Sequence, residues 1–156
     1  MKTLKFYSKR LSANEREKIK QTNVIKRDFI YQTNKKRTFK GYELRYSNKY
    51  ISDDECWLKF VAGSNFNNPE RKLNYSRVKR VHWIFMILDL YQKHEQPYKI
   101  YSNLEEIVNP NNKKVITVRV VDENYNLFFE LYDDKENPYY LLTSAYYKGK
   151  QKRKAG

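Results

Sequence analysis

Only one cysteine, Cys56, occurs in 156 residues, which excludes an internal disulfide framework and a cysteine-based zinc cluster and makes a reducing, cytoplasmic setting the expectation. Glycine and proline number 4 each, too few for low-complexity linkers. No apolar run approaches the roughly 18 residues of a membrane span, and the basic N-terminus lacks the apolar stretch of a signal peptide. A glycine-rich phosphate loop, a dinucleotide fingerprint and an HExxH motif are all missing. Acidic residues are scarce: 18 Asp and Glu stand against 32 Lys and Arg, a formal charge of +14. The two histidines, His82 and His94, lie roughly three helical turns apart, too far to share a metal ion. The acidic pairs Asp53/Asp54 and Asp133/Asp134 fall at cap and turn positions. We therefore expect no metal and no cofactor.

What is abundant is positive charge and tyrosine. An excess of +14 repels itself in a compact chain, and its usual use is to attract a polyanion, of which nucleic acid is the commonest. Tyrosine contributes 15 residues against 8 Phe and 2 Trp. Its ring stacks while its hydroxyl stays wet, so a surface rich in Tyr and Lys suits RNA or single strands better than a smooth duplex. The competing explanation is compositional, with Tyr standing in for Phe in a lysine-rich chain. No membrane partner is expected, because the basic residues are spread over the chain without a long amphipathic basic helix.

Along the chain, Ser12-Ala13-Asn14-Glu15 has the form of a capping box and predicts a helix to about Tyr31, with Ile19, Val24, Ile25, Phe29 and Ile30 as its apolar side. Residues 38–46 alternate around Gly41 as an extended segment or hairpin. Ser52-Asp53-Asp54-Glu55 predicts a second, short helix ending near Gly63. The turn-rich stretch 64–69 suggests a boundary, giving a helical and extended appendage over 1–66 and a domain over 67–156. In that domain a long helix from Ser76 to about Glu95 is expected to be the central core helix, with Val81, Ile84, Leu88 and Tyr91 on one stripe. Strands are expected at 98–102, 115–121, 127–132 and 139–147, separated by turn-forming segments. The expected fold class is α+β: an N-terminal helical region, then a long core helix packed on a four-stranded antiparallel sheet.

RNA can be cut without a metal because its own 2′-OH is the nucleophile. The protein must move a proton and stabilise charge on phosphorus, which Arg, Lys, His, Tyr, Ser and Thr can do. Two clusters offer these groups: Arg77, Arg80 and His82 on the core helix, and Thr143, Ser144, Tyr146 and Tyr147 on the last strand. Arg119, alternating with Val118 and Val120, is a third contact point for substrate. Lys148, Lys150, Lys152 and Arg153 form a basic tail that would add affinity without specificity. Each has a plainer alternative: a solvated helix face for the arginines, a satisfied core histidine for His82, pleat-filling for Thr143 and Ser144, an ordinary solvent-face residue for Arg119.

The order of these features resembles a known family. Arg77-Val78-Lys79-Arg80-Val81-His82-Trp83-Ile84, followed by strands and by Tyr140-Leu141-Leu142-Thr143-Ser144-Ala145-Tyr146-Tyr147 with basic residues after it, is similar to the phage-associated nuclease branch of the barnase/EndoU/colicin/RelE-like (BECR) superfamily. The resemblance covers residue 70 to the end. It implies a small metal-independent endoribonuclease of phage-associated or toxin type, acting on tRNA or mRNA, with an acidic antitoxin or immunity protein as a complementary partner. By position it implies phosphate-binding or catalytic roles for Arg77 and Arg80, and places Thr143 and its neighbouring tyrosine on the active-site strand. Ser144 is an extra residue relative to the usual motif, which shifts the facing of Tyr146 and Tyr147 unless a β-bulge absorbs it. A non-catalytic RNA- or DNA-binding phage regulator using the same cleft is the alternative.

Overall fold

A computed structural model describes residues 1–62, 72–134 and 136–149. The first helix, α1 (Glu15–Thr33), is capped by Asn14, whose side chain accepts the Glu17 N–H at 3.1 Å, with Ser12 one step back accepting from the Asn14 N–H. Its inward side is narrower than the sequence suggests: Phe29 is buried, while Ile19 and Val24 are exposed. Strands β1 (Thr38–Phe39) and β2 (Tyr42–Arg45) form a hairpin across Lys40 and Gly41. Both turn residues have positive φ, 52° and 86°, the twist a two-residue hairpin requires and the reason glycine occupies the second position. Helix α2 (Asp53–Val61) starts as expected, with Ser52 accepting the Glu55 N–H.

The expected long core helix is not formed. It divides into α3 (Tyr75–Val78), capped by Asn74, and α4 (Trp83–Lys93), only 11 residues long. Between them the backbone bonds shorten to three-residue steps, as from Trp83 N–H to Arg80 O and from Ile84 N–H to Val81 O. The physical reason is packing. Val81 and Trp83 are both buried, yet residues two apart lie on nearly opposite sides of a continuous α-helix. Breaking the helix at 79–82 lets both point inward.

The sheet also differs from the expected four antiparallel strands. Among the described residues it has six, in the order β1-β2-β6-β5-β4-β3, with β3 (Leu104–Val108), β4 (Val115–Val120), β5 (Tyr125–Tyr132) and β6 (Tyr139–Tyr147). Neighbours are antiparallel except β2 and β6, which run parallel, so the sheet is mixed. The strand expected at 98–102 is instead a 3-10 turn, Pro97–Lys99, begun by the proline that suits a first helical position. The architecture remains α+β.

One face of the sheet carries Ile116, Val118, Val120, Leu127, Phe129, Tyr140 and Leu142, against which α4 lays Trp83, Ile84, Ile87 and Leu88. Phe39 of the hairpin stacks on Phe129, with centroids 3.9 Å apart and planes within 5°. Phe6, Phe29, Trp57 and Phe60 join the same core, so residues 1–62 supply two of the six strands and part of this interior. The boundary expected at residue 66 lies outside the described residues. Among the described residues, no helix is long and apolar enough to cross a membrane.

Candidate nucleic-acid interface

The last strand sets the geometry. β2 pairs with β6 only through Tyr139, Tyr140 and Leu141, whereas β5 pairs along its whole length. Beyond Leu141, among the described residues, that edge of β6 has no strand beside it, and α2 and α3 pack there instead. The Lys59 ammonium of α2 donates to the Leu142 carbonyl at 3.2 Å and to the Tyr46 carbonyl at 2.6 Å, satisfying groups that would otherwise be left unpaired. Burial holds the Lys59 pKa below its ordinary value.

The pairing register slips between Phe128 and Phe129. Phe129 faces Leu142 and Phe128 faces Ser144, which leaves Thr143 as the extra residue of a β-bulge. Its hydroxyl donates to the Phe128 carbonyl at 3.0 Å. The bulge inverts the alternation: Leu142 points to the core, and after it Ala145 and Tyr147 do, so Ser144 and Tyr146 face the outer side. Tyr146 stacks there on Phe128, with centroids 5.3 Å apart.

Two arginines of the preceding helical turn meet this edge. The Arg77 guanidinium lies over the Tyr146 ring at 5.5 Å and donates to the Ala62 carbonyl. Arg80 lies over the Tyr147 ring at 3.7 Å and over Trp83 at 5.6 Å, and donates to the Ser76 carbonyl and hydroxyl, both at 2.9 Å. The Lys148 ammonium stands 5.6 Å from the Tyr146 centroid. Three cations thus border two consecutive tyrosines, an arrangement favourable to cation–π contact and able to present positive charge to a phosphate. Behind them Tyr125 is buried. Burial raises its phenol pKa, with Arg77 and Arg80 opposing the rise, so it is neutral at physiological pH.

Comparisons with family models, curated proteins and solved structures return no match to this chain. The placement of each expected residue therefore stands on geometry alone. Arg77, Arg80, Tyr146, Tyr147 and Lys148 come together. Ser144 and Tyr146 share the outer face with Arg119, which sits across β4 and β5 in the row Arg119, Asn126, Tyr146. Thr143 is at the border, its hydroxyl bonded to backbone. His82 is turned elsewhere: its Nε2–H donates to the Tyr7 carbonyl at 3.0 Å, and the ring lines a cleft of about 530 Å³ with Lys9, Gln21, Ile25, Phe29 and Phe85. Burial, and then the charge of Lys9, lower its pKa and keep it neutral. Lys150, Lys152 and Arg153 lie outside the described residues. Among the described residues no group of three His, Cys, Asp or Glu side chains could hold a metal ion.

Three contributors escaped the sequence reading. Lys59 carries no local signal, since it acts on strands that only the tertiary fold brings near; Ser76 accepts from Arg80 four residues on, a helical spacing that lay within the expected helix without being read as a contact. Asn126 did carry one: it is an amide beside a run of strand-forming residues, where asparagine is disfavoured, and it falls one residue before the strand expected at 127–132.

Proposed function

We propose that this protein is a metal-independent endoribonuclease that holds RNA at the C-terminal end of β6, where Arg77 and Arg80 meet Tyr146 and Tyr147, and cleaves it through the RNA's own 2′-OH. The observation that carries this reading is the pairing of Arg77 with Tyr146 and of Arg80 with Tyr147 beside an edge that no strand occupies among the described residues. In the reaction the 2′-oxygen bonds to phosphorus, the bond from phosphorus to O5′ breaks, and a 2′,3′-cyclic phosphate remains. The 2′ proton is lost and the leaving O5′ gains one. Arg77 and Arg80 would neutralise the charge that grows on the phosphoryl oxygens. The Tyr146 phenol and Ser144 hydroxyl, on the outer face, carry the exchangeable protons, and Arg119 extends the grip along the strand. His82, bonded to Tyr7, is not in this set.

A second reading, RNA binding without cleavage, is favoured by one specific observation: the Thr143 hydroxyl, expected at the reacting centre, is engaged by the Phe128 carbonyl. End-labelled RNA incubated with the purified protein in EDTA separates the two. Cleavage should leave 2′,3′-cyclic phosphate ends, and Arg77→Ala or Arg80→Ala should slow it by roughly a hundredfold or more. Activity that disappears with EDTA overturns the metal-independent mechanism, and salt-sensitive retention of RNA with no product establishes the second reading.

A further inference from the structure

The outer face of the sheet holds a polar group that the fold leaves without a partner. Asn126 alternates with Tyr125 and Leu127, both in the core, so its side chain points to the face that Tyr146 and Phe128 occupy. As a residue it is only 5% exposed, and among the described residues its amide makes no hydrogen bond, but its amide oxygen and nitrogen are not fully enclosed and so remain open to a ligand. A recessed amide that bonds nothing in the fold and still reaches the surface is free to take its hydrogen bonds from a ligand. Its neighbour across β4 and β5, Arg119, has a buried Nε with no acceptor among the described residues. The carboxylate opposite Arg119 on β3, Glu105, forms no ion pair with it. On the other flank Asn126 faces Tyr146, whose ring lies against Phe128 and beneath the Arg77 guanidinium.

We infer that Asn126 reads one unpaired adenine of a bound RNA, with Arg119 holding an adjoining phosphate. The inference rests on the proposed RNA-binding edge and adds a base-specific subsite to it. An asparagine amide offers one N–H and one carbonyl side by side, and these match the N7 acceptor and N6 amino donor of adenine. The Tyr146 and Phe128 rings beside it give the base an aromatic surface, and unstacked bases in single strands can enter such a site. The ligand would supply the hydrogen bonds that the fold withholds.

The test uses the full chain and short RNAs made non-cleavable by a 2′-O-methyl group at each position, identical except for one adenine replaced by C, G or U. Fluorescence anisotropy should show the adenine-containing RNA bound roughly tenfold more tightly. Asn126→Ala should erase that preference while changing the melting temperature little, because among the described residues the amide makes no hydrogen bond within the fold. Asn126→Asp, which keeps the shape but loses the N–H donor, should also lose the preference. Absence of any adenine preference in the unaltered protein overturns the inference, as does a preference that survives in Asn126→Ala. If adenine preference is present but unmodified RNA is never cut, the nuclease reading fails while this inference stands. If no RNA binds at all, both fail.

Discussion

The two halves of β6 share a strand and little else. From Tyr139 to Leu142 all four residues are buried, and through Leu141 β2 and β5 flank the chain on both sides. From Thr143 to Tyr147 only Ala145 is buried, one edge has no strand beside it among the described residues, and cations of α3 and the adjoining turn fill the gap. What separates them is one residue. Without the bulge at Thr143 the alternation of Leu142 would carry Ser144 and Tyr146 into the core, and the outer face would lose its aromatic and hydroxyl groups. A local irregularity thus converts the end of a core strand into a surface that can engage a ligand.

The sharpest way to break this comparison is to truncate one side chain in each half. Leu142→Ala should cost about 2–5 kcal/mol, since Leu142 is fully enclosed and its removal leaves a cavity. Tyr146→Ala should cost about 1 kcal/mol, chiefly the stacking on Phe128, yet should weaken RNA retention strongly. Urea denaturation and anisotropy with labelled RNA measure both effects. Equal destabilisation by the two changes would show the halves to be the same kind of structure.

A smaller effect probes the border from outside. Lys59→Met keeps the length of the side chain but leaves the Leu142 and Tyr46 carbonyls without their donor. The loss should be about 1–3 kcal/mol, seen in urea denaturation, and it should be accompanied by weaker RNA retention because the strand end that presents Tyr146 is no longer fixed. Unchanged stability would mean that Lys59 merely rests against the edge.

How much of this was legible follows from the range of the forces involved. Ser52 and Asn74 act on backbone three residues away, so their caps could be read from local pattern. Strands β4 and β6 were likewise visible in their own composition. The parallel pairing of β2 with β6 joins Glu43 to Tyr139, and four residues of unremarkable sequence could not announce a partner so far along the chain. The long helix was overestimated because apolar content was counted without asking whether Val81 and Trp83 could face the same way. At the site, Arg77, Arg80, Tyr146 and Tyr147 were found because charge and aromaticity mark them. His82 was included by adjacency in sequence, and the break at 79–82 turns it toward Tyr7. The extra Ser144 did signal a bulge, but only the register shows that Thr143 is the residue left without a partner.

Thr143 itself offers the smallest and most discriminating change. Thr143→Val preserves the β-branched shape and removes only the hydroxyl, so the bulge should persist with the Phe128 carbonyl losing one donor. That loss should be about 0.5–1.5 kcal/mol in urea denaturation. If the hydroxyl serves the bulge, as its bond to Phe128 argues, RNA cleavage should stay within roughly a few-fold of the unaltered protein. A fall of about a hundredfold with the stability loss no larger than stated would instead place the hydroxyl at the reacting phosphate. The bond seen here would then be a resting contact that RNA displaces, and the border between the halves of β6 would lie at Leu142 and not at Thr143.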